Sequence, residues 1–284
     1  MTGRPTPYPE LDAVLRELVE SAQAILGDGF CGAYLQGSFA LGDADEESDV
    51  DFLIVTHEEV TKAQADALRA MHRRIYALET PWAQHLEGSY PPAEQLRCVD
   101  PSRSPWLYLD HGATELVRDN HCNTAVVRWT LREHGVVLEG PDPKSLVEPV
   151  SASELRDDVR TALHEEAEWA REPHPRFGPG AMSKRQQTYL VLSGCRILHT
   201  LETGRVTSKP AAGSWALRAL DPEWQSLIRR ALDDRPDQMG QVRRRADADA
   251  VERTLAFVDY AVTEATRGAP PPSPAPGPPP SARR

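Results

Sequence analysis

The sequence predicts an α+β chain, with a mixed sheet and flanking helices in an N-terminal domain followed by an all-helical C-terminal domain. Three observations lead there. Over residues 1–150, apolar runs of strand length alternate with helix-spaced segments. From Ser151 only the helical period persists. Residues 269–284 are Pro-rich and aperiodic, so they are expected to form a disordered tail outside both domains. A length of 284 residues accommodates this division at 1–150, 151–268 and 269–284.

Taken in order, Leu11, Val14, Leu15, Leu18, Val19, Ala22 and Ile25 recur at helical spacing and predict a helix over 10–26, ended by Gly27-Asp28-Gly29. Residues 32–36 read as a short strand running into Gly37, and Phe39-Ala40-Leu41-Gly42 as a helical turn. Residues 50–55 are nearly all apolar, as a buried central strand requires. A second helix spans 60–78, and a third strand covers 84–90 before Pro91-Pro92 stops it. Residues 101–150 form a connecting region, with a helical pattern starting at Ala125. Helices are then expected at 153–171, 184–202, 211–220, 222–233 and 246–266, with a Pro- and Gly-rich loop at 172–182.

The formal net charge is −11. An acidic surface repels polyanions and attracts cations, which argues against a nucleic-acid substrate and favours a small cationic partner. No apolar run is long enough to span a membrane, and the N-terminus lacks the features of a signal peptide, so a cytoplasmic protein is expected. Cys31, Cys98, Cys122 and Cys195 form no C-x-x-C pair and are expected to be reduced thiols. A monomer is the expected state.

The chemistry concentrates between the first two strands. Glycine at 37 lets backbone approach an anion closely, and the Ser38 hydroxyl can bind one. Ser48-Asp49-Val50-Asp51 opens the central strand, where residues two apart share a face. Asp49 and Asp51 can therefore serve one magnesium site, since Mg2+ prefers oxygen ligands. Two acids at the head of an apolar strand are costly unless a cation compensates them. Asp43, Asp45, Glu46 and Glu47 read as a solvated turn. Glu87, in the third strand, is the candidate third carboxylate, as base, metal ligand or both. His85, on the same face, is the second candidate base.

Gly37-Ser38 followed by Asp49-Val50-Asp51 resembles the DNA polymerase β-like nucleotidyltransferase superfamily. Leu35-Gln36-Gly37-Ser38 with Ser48-Asp49-Val50-Asp51-Phe52-Leu53 is similar, within it, to the aminoglycoside adenylyltransferases that modify streptomycin and spectinomycin. So are Leu190-Val191-Leu192-Ser193-Gly194-Cys195-Arg196-Ile197, Thr203-Gly204-Arg205-Val206 and the stretch from Ser208 to Ala216. The resemblance implies a nucleotidyltransferase domain followed by a helical domain, and transfer of AMP from ATP to a hydroxyl of a small, cationic acceptor. It implies that Gly37, Ser38 and Ser48 contact the nucleotide, that Asp49, Asp51 and Glu87 bind Mg2+, and that Glu87 is the base. It also implies that Arg196 and Lys209 reach the ATP phosphates from the helical domain. The family pattern leads to an acid just before the Leu190 helix and a tryptophan near residue 114. This chain has Ser183-Lys184-Arg185-Gln186-Gln187 and Ala113-Thr114-Glu115 instead. Glu165, Glu166, Glu168 and Trp169 are alternative sources of acid and an aromatic face, and Glu115, His121 and Trp169 are the candidate acceptor residues. The other readings are a different small-molecule acceptor, a protein acceptor, or a non-catalytic nucleotide-binding relative.

Overall fold

The structure, a computed structural model, describes residues 4–46, 48–235 and 241–267. The tail expected at 269–284 lies outside the described residues, as does Glu47.

Strands β1 (Phe30–Leu35), β2 (Val50–Thr56), β3 (Leu86–Tyr90), β4 (Trp106–Leu109), β5 (Leu116–Asp119) and β6 (Val136–Glu139) form one sheet in the order β5-β4-β3-β2-β1-β6. β2 and β3 pair in parallel and the other neighbours are antiparallel, so the sheet is mixed. The strand alternation sorts side chains between two layers. Leu35, Phe52, Ile54, Leu86 and Tyr90 face α1 (Pro9–Leu26) and α3 (Lys62–Tyr76). Tyr34, Leu53, Val55, Trp106 and Tyr108 pack with Leu96, Val127 and Leu131 on the other side. Val127 and Leu131 lie on α5 (Ala125–His134), and Leu96 on the short α4 (Ala93–Arg97). Within that layer Arg128 is fully buried, a costly placement for a cation. Its guanidinium donates to the carbonyls of Leu96 at 3.0 Å, Gln95 at 2.8 Å and Thr124 at 3.1 Å, and lies over the Trp106 ring. The cost is thereby offset, and α4 is tied to α5.

The remaining helices are α2 (Gly37–Leu41), α6 (Pro143–Leu146), α7 (Ala152–Trp169), α8 (Lys184–Thr203), α9 (Lys209–Ala219), α10 (Gln225–Asp234) and α11 (Ala248–Arg267). α8 buries residues on nearly all sides, as the central helix of a bundle must, and contacts α7, α9, α10 and α11. Its Ser183 side chain accepts from the Gln186 backbone N–H at 3.1 Å, satisfying one orphan donor at the N-terminus.

The two regions meet along α5 and α7. Asp158 of α7 accepts from the backbone N–H of Val126 at 3.1 Å, capping α5 from the other side of the junction. Arg103 pairs with Glu165 at 3.0 Å. Arg235, just after α10, pairs with Asp45. Asp45 was expected to be a solvated turn acid, but it joins the two regions.

Most expected elements are present, with shifted ends. The third strand begins at Leu86, because Pro81–Gln84 forms a 3-10 turn. His85 is therefore not in the strand beside Glu87. It is buried, with its ring against those of Trp82 and His111. The connecting region is more ordered than expected, since it holds β4, β5, β6 and α5.

Candidate active site

A cleft of about 790 Å³ runs between the sheet and the helical region. Its floor is formed by the N-terminal ends of β2 and β3. Asp51 and Glu87 are directly opposed across this parallel pair. Both lie on the face shared with Leu53 and Ser89, because Phe52 and Gly88 point the other way. Asp49 joins them from just before β2 and also lines the cleft.

The Asp51 carboxyl is pushed up to about 8, first by burial and then by the charges of Glu87 and Asp49. Asp49 is instead held below the usual carboxylate range. Burial opposes ionisation there, but His111 beside it and the cations Lys209 and Arg185 outweigh burial. The His111 Nδ1 atom is 2.7 Å from Asp49 Oδ1. The Asp49 contact correspondingly raises the His111 imidazole above its ordinary value. Glu87 has two partners at one oxygen. The Tyr108 hydroxyl donates to Oε1 at 2.8 Å, and His121 Nε2 lies 3.2 Å from the same atom. His121 is raised chiefly by that carboxylate.

Above the acids, the turn into α2 brings backbone close. Gly37 has φ +59°, and a Cβ there would stand 1.9 Å from Asp51 Oδ2. Only glycine satisfies both conditions. Gly37→Ala is expected to destabilise the protein by roughly 1–3 kcal/mol and to displace Asp51. Thermal melting and turnover of the variant measure both effects; wild-type values for each would show that the turn relaxes freely. Ser38 lines the cleft. Ser48 is buried, accepts from the Asp45 N–H at 2.9 Å and donates to Asp45 Oδ1 at 2.9 Å, which fixes the turn that delivers Asp49.

The opposite wall is cationic and aromatic. Lys209 opens α9, behind Ser208, whose side chain accepts from the Ala211 N–H at 3.2 Å. Its ammonium lies over the Tyr189 ring at 4.7 Å. Burial, with the Arg196 charge nearby, lowers it to about 8, against the favourable pull of Asp49 and Asp51. Arg196 lines the same wall. Glu166 accepts from the Ser193 hydroxyl at 2.5 Å and the Tyr189 hydroxyl at 3.3 Å, and burial raises its carboxyl. Trp169 lines the cleft edge-on to Tyr189, 5.7 Å between centroids.

Most candidates named from sequence thus converge, but His85, Glu168 and Glu115 do not line the cleft. Gly37, Ser38, Ser48, Asp49, Asp51, Glu87, His121, Trp169, Arg196 and Lys209 all line this cleft. Glu115 is elsewhere, because it pairs with Arg73 of α3 at the far end of the sheet. Tyr108, His111, Arg185 and Arg235 also line the cleft and were not singled out. Tyr108 sat in a stretch read as connection, and Arg235 beyond a predicted helix end. Alternation from Trp106 to Leu109 is too short a signal to announce a strand.

Comparison with known proteins bears on both regions. A model described as a nucleotidyltransferase domain matches residues 15–96. One described as the C-terminal domain of aminoglycoside adenylyltransferase matches residues 145–264. The chain is similar to the aminoglycoside adenylyltransferases in both regions. Among similar proteins is a spectinomycin 9-adenylyltransferase of Campylobacter jejuni, 22% identical over 79% of this chain and 85% of the relative. Another is an aminoglycoside (3'')(9) adenylyltransferase of Shigella flexneri, 25% identical over 91% of this chain and 96% of the relative. A crystal structure of the spectinomycin adenyltransferase from Enterococcus faecialis with ATP and spectinomycin shares the fold. Its TM-score is 0.67 at 15% identity, over 88% of this chain and 98% of that one. No helix among the described residues is long and apolar enough to cross a membrane.

Proposed function

We propose that this protein transfers AMP from ATP to a hydroxyl of an aminoglycoside or aminocyclitol such as streptomycin or spectinomycin, releasing pyrophosphate. One observation carries the reading: three carboxylates converge on one wall of a cleft whose other wall presents Lys209 and Arg196. A polyphosphate needs cations from the protein, and the carboxylates need a divalent cation between themselves and the phosphate. The residues fit Mg2+. Asp51 is buried against like charge, and its oxygen donors suit a hard ion. Asp49, Asp51 and Glu87 would hold it; when bound, Mg2+ neutralises phosphate charge and polarises the α-phosphate.

The protein's own groups supply the rest. Glu87 accepts the proton of the acceptor hydroxyl as its oxygen attacks the α-phosphorus and the bond to pyrophosphate breaks. Tyr108 and His121, both at Oε1, orient that carboxylate. Lys209 and Arg196 hold the phosphates, and Gly37, Ser38 and Ser48 shape the turn around them. Residues 1–150 then carry the acids, and 151–268 complete the nucleotide site and present Glu166 and Trp169 to a cationic acceptor. The cleft is complete within one chain, which suits a monomer. Free cysteines at 31, 98, 122 and 195 suit a reducing compartment such as the cytoplasm.

Pyrophosphate release with ATP and Mg2+ against a panel of aminoglycosides and spectinomycin tests the proposal. Release with at least one acceptor is expected; silence across the panel would rule out this acceptor class. Lys209→Ala is expected to raise the KM for ATP about 10- to 100-fold, the loss of one charge-assisted contact, with a smaller effect on the KM of the acceptor. Equal changes in both would remove Lys209 from the phosphates.

A further inference from the structure

The carboxylates are not the whole donor set at this centre. Asp49, Glu87 and His111 each offer one ligand atom, and these three atoms lie within 4.8 Å of one another. Ligands cis to one another on an ion at about 2.1 Å are about 3 Å apart, and trans ligands about 4.2 Å. The bound on the widest pair exceeds the trans spacing by about 0.6 Å, so the three side chains are placed to close on one ion.

The His111 contact has the character of two co-ligands. Its Nδ1 is 2.7 Å from Asp49 Oδ1 and shielded from solvent, yet it makes no aligned hydrogen bond. A donor–acceptor pair at that distance would normally align its N–H with the oxygen. Two atoms aimed at a third point between them would not. The ring is also held in place. It packs at 5.4 Å on the buried His85 ring, and its backbone N–H donates to Asp110 Oδ1 at 3.0 Å. The next residue, Gly112, donates its N–H to the Gln84 carbonyl at 3.1 Å, anchoring the β4–β5 turn that carries the histidine.

We infer that His111 is a nitrogen ligand of the divalent metal at this site, so that the centre is a mixed carboxylate–imidazole one. This rests on the metal-dependent reading above and adds to it. A neutral imidazole favours first-row transition ions over Mg2+, so the site should hold Mn2+ more tightly relative to Mg2+ than an all-oxygen site does.

The test uses the full chain, titrated with Mn2+ without nucleotide and examined by pulsed electron paramagnetic resonance. Directly bonded 14N coupling is expected in the wild type and should change to the 15N pattern in protein labelled with 15N-histidine. It should vanish in His111→Gln and persist in His121→Gln, whose ring faces Glu87 instead. The ratio of Mg2+ to Mn2+ dissociation constants should fall about tenfold or more in His111→Gln alone. Bound Mn2+ without imidazole coupling, or coupling lost in His121→Gln and kept in His111→Gln, would overturn the assignment and leave the metal-dependent reading standing. A wild type that binds no Mn2+ would overturn both.

Discussion

Asp51→Asn should abolish turnover while making the metal-free protein more stable. The two effects have one cause. Asp51 and Glu87 are opposed on adjacent strands, and such strands lie about 4.8 Å apart. Like charges at that spacing repel by about 1 kcal/mol in water and about 3.5 kcal/mol at an effective dielectric of 20. Burial adds to this cost, which is why the carboxyl is pushed up to about 8. Its ordinary value is 3.8, so between about 4 and about 8 the unfolded chain is ionised at this position while the folded chain keeps its proton. The unfolded state binds fewer protons there, so stability falls as pH rises through that window and levels off above it. Asparagine removes this dependence. The gain in melting temperature should thus be small near pH 5 and largest near pH 8, with a chelator present. Saturating Mg2+ should narrow it, because the ion stabilises only the carboxylate form. Turnover should fall about 10³-fold or more, the several kcal/mol that a metal supplies to charge developing at phosphate. Calorimetry at both pH values, with pyrophosphate release beside it, measures each part. A variant no more stable than the wild type at pH 8 would mean that Asp51 bears no charge cost.

That cost also explains what could be read from sequence. Two acids heading an apolar strand are conspicuous because local preference and global burial conflict there. The strand itself is short and nearly all apolar from Val50 to Val55, so both the element and its exceptions stand out. Glu87 was legible for the same reason, once a strand was placed around it. His111 and Tyr108 had no such contrast. His111 stands on a turn after β4, a four-residue strand, and only the sheet order β4-β3-β2 brings it to Asp49. Arg235 reaches Asp45 across 190 residues, a pairing that no local pattern encodes. Lys209 and Arg196 are intermediate. Each is an ordinary helix cation by itself, and resemblance to a family rather than periodicity selected them. Glu115 shows the opposite error: an acid in a polar stretch near the cleft in sequence, but turned to Arg73 of α3 in space.

Glu87→Gln separates a base from a ligand. Glutamine keeps the shape of the side chain and an oxygen that can still accept the Tyr108 hydroxyl, now 2.8 Å from Oε1. It cannot take a proton from the acceptor. If proton removal is the main task of this carboxylate, kcat should fall by about 10²- to 10⁴-fold, while the dissociation constant for ATP with Mg2+ changes little. Calorimetric titration and single-turnover kinetics give the two quantities independently. Tight binding lost together with turnover would instead make metal retention the main task. The neighbours provide an internal check that the substitution acts locally. His121 is raised chiefly by contact with Glu87, so in the variant its imidazole should titrate lower, back toward 6.5. His111 is raised chiefly by Asp49 and should move much less. Imidazole resonances followed by NMR through pH 5–9 would report both histidines in one experiment. A fall in both by the same amount would show that the charge network of the cleft, and not the Glu87 carboxylate alone, had been altered. In that case the kinetic loss could not be assigned to the base. A fall confined to His121, with ATP affinity intact, would place the missing function at the Glu87 carboxylate, where the acceptor hydroxyl must lose its proton.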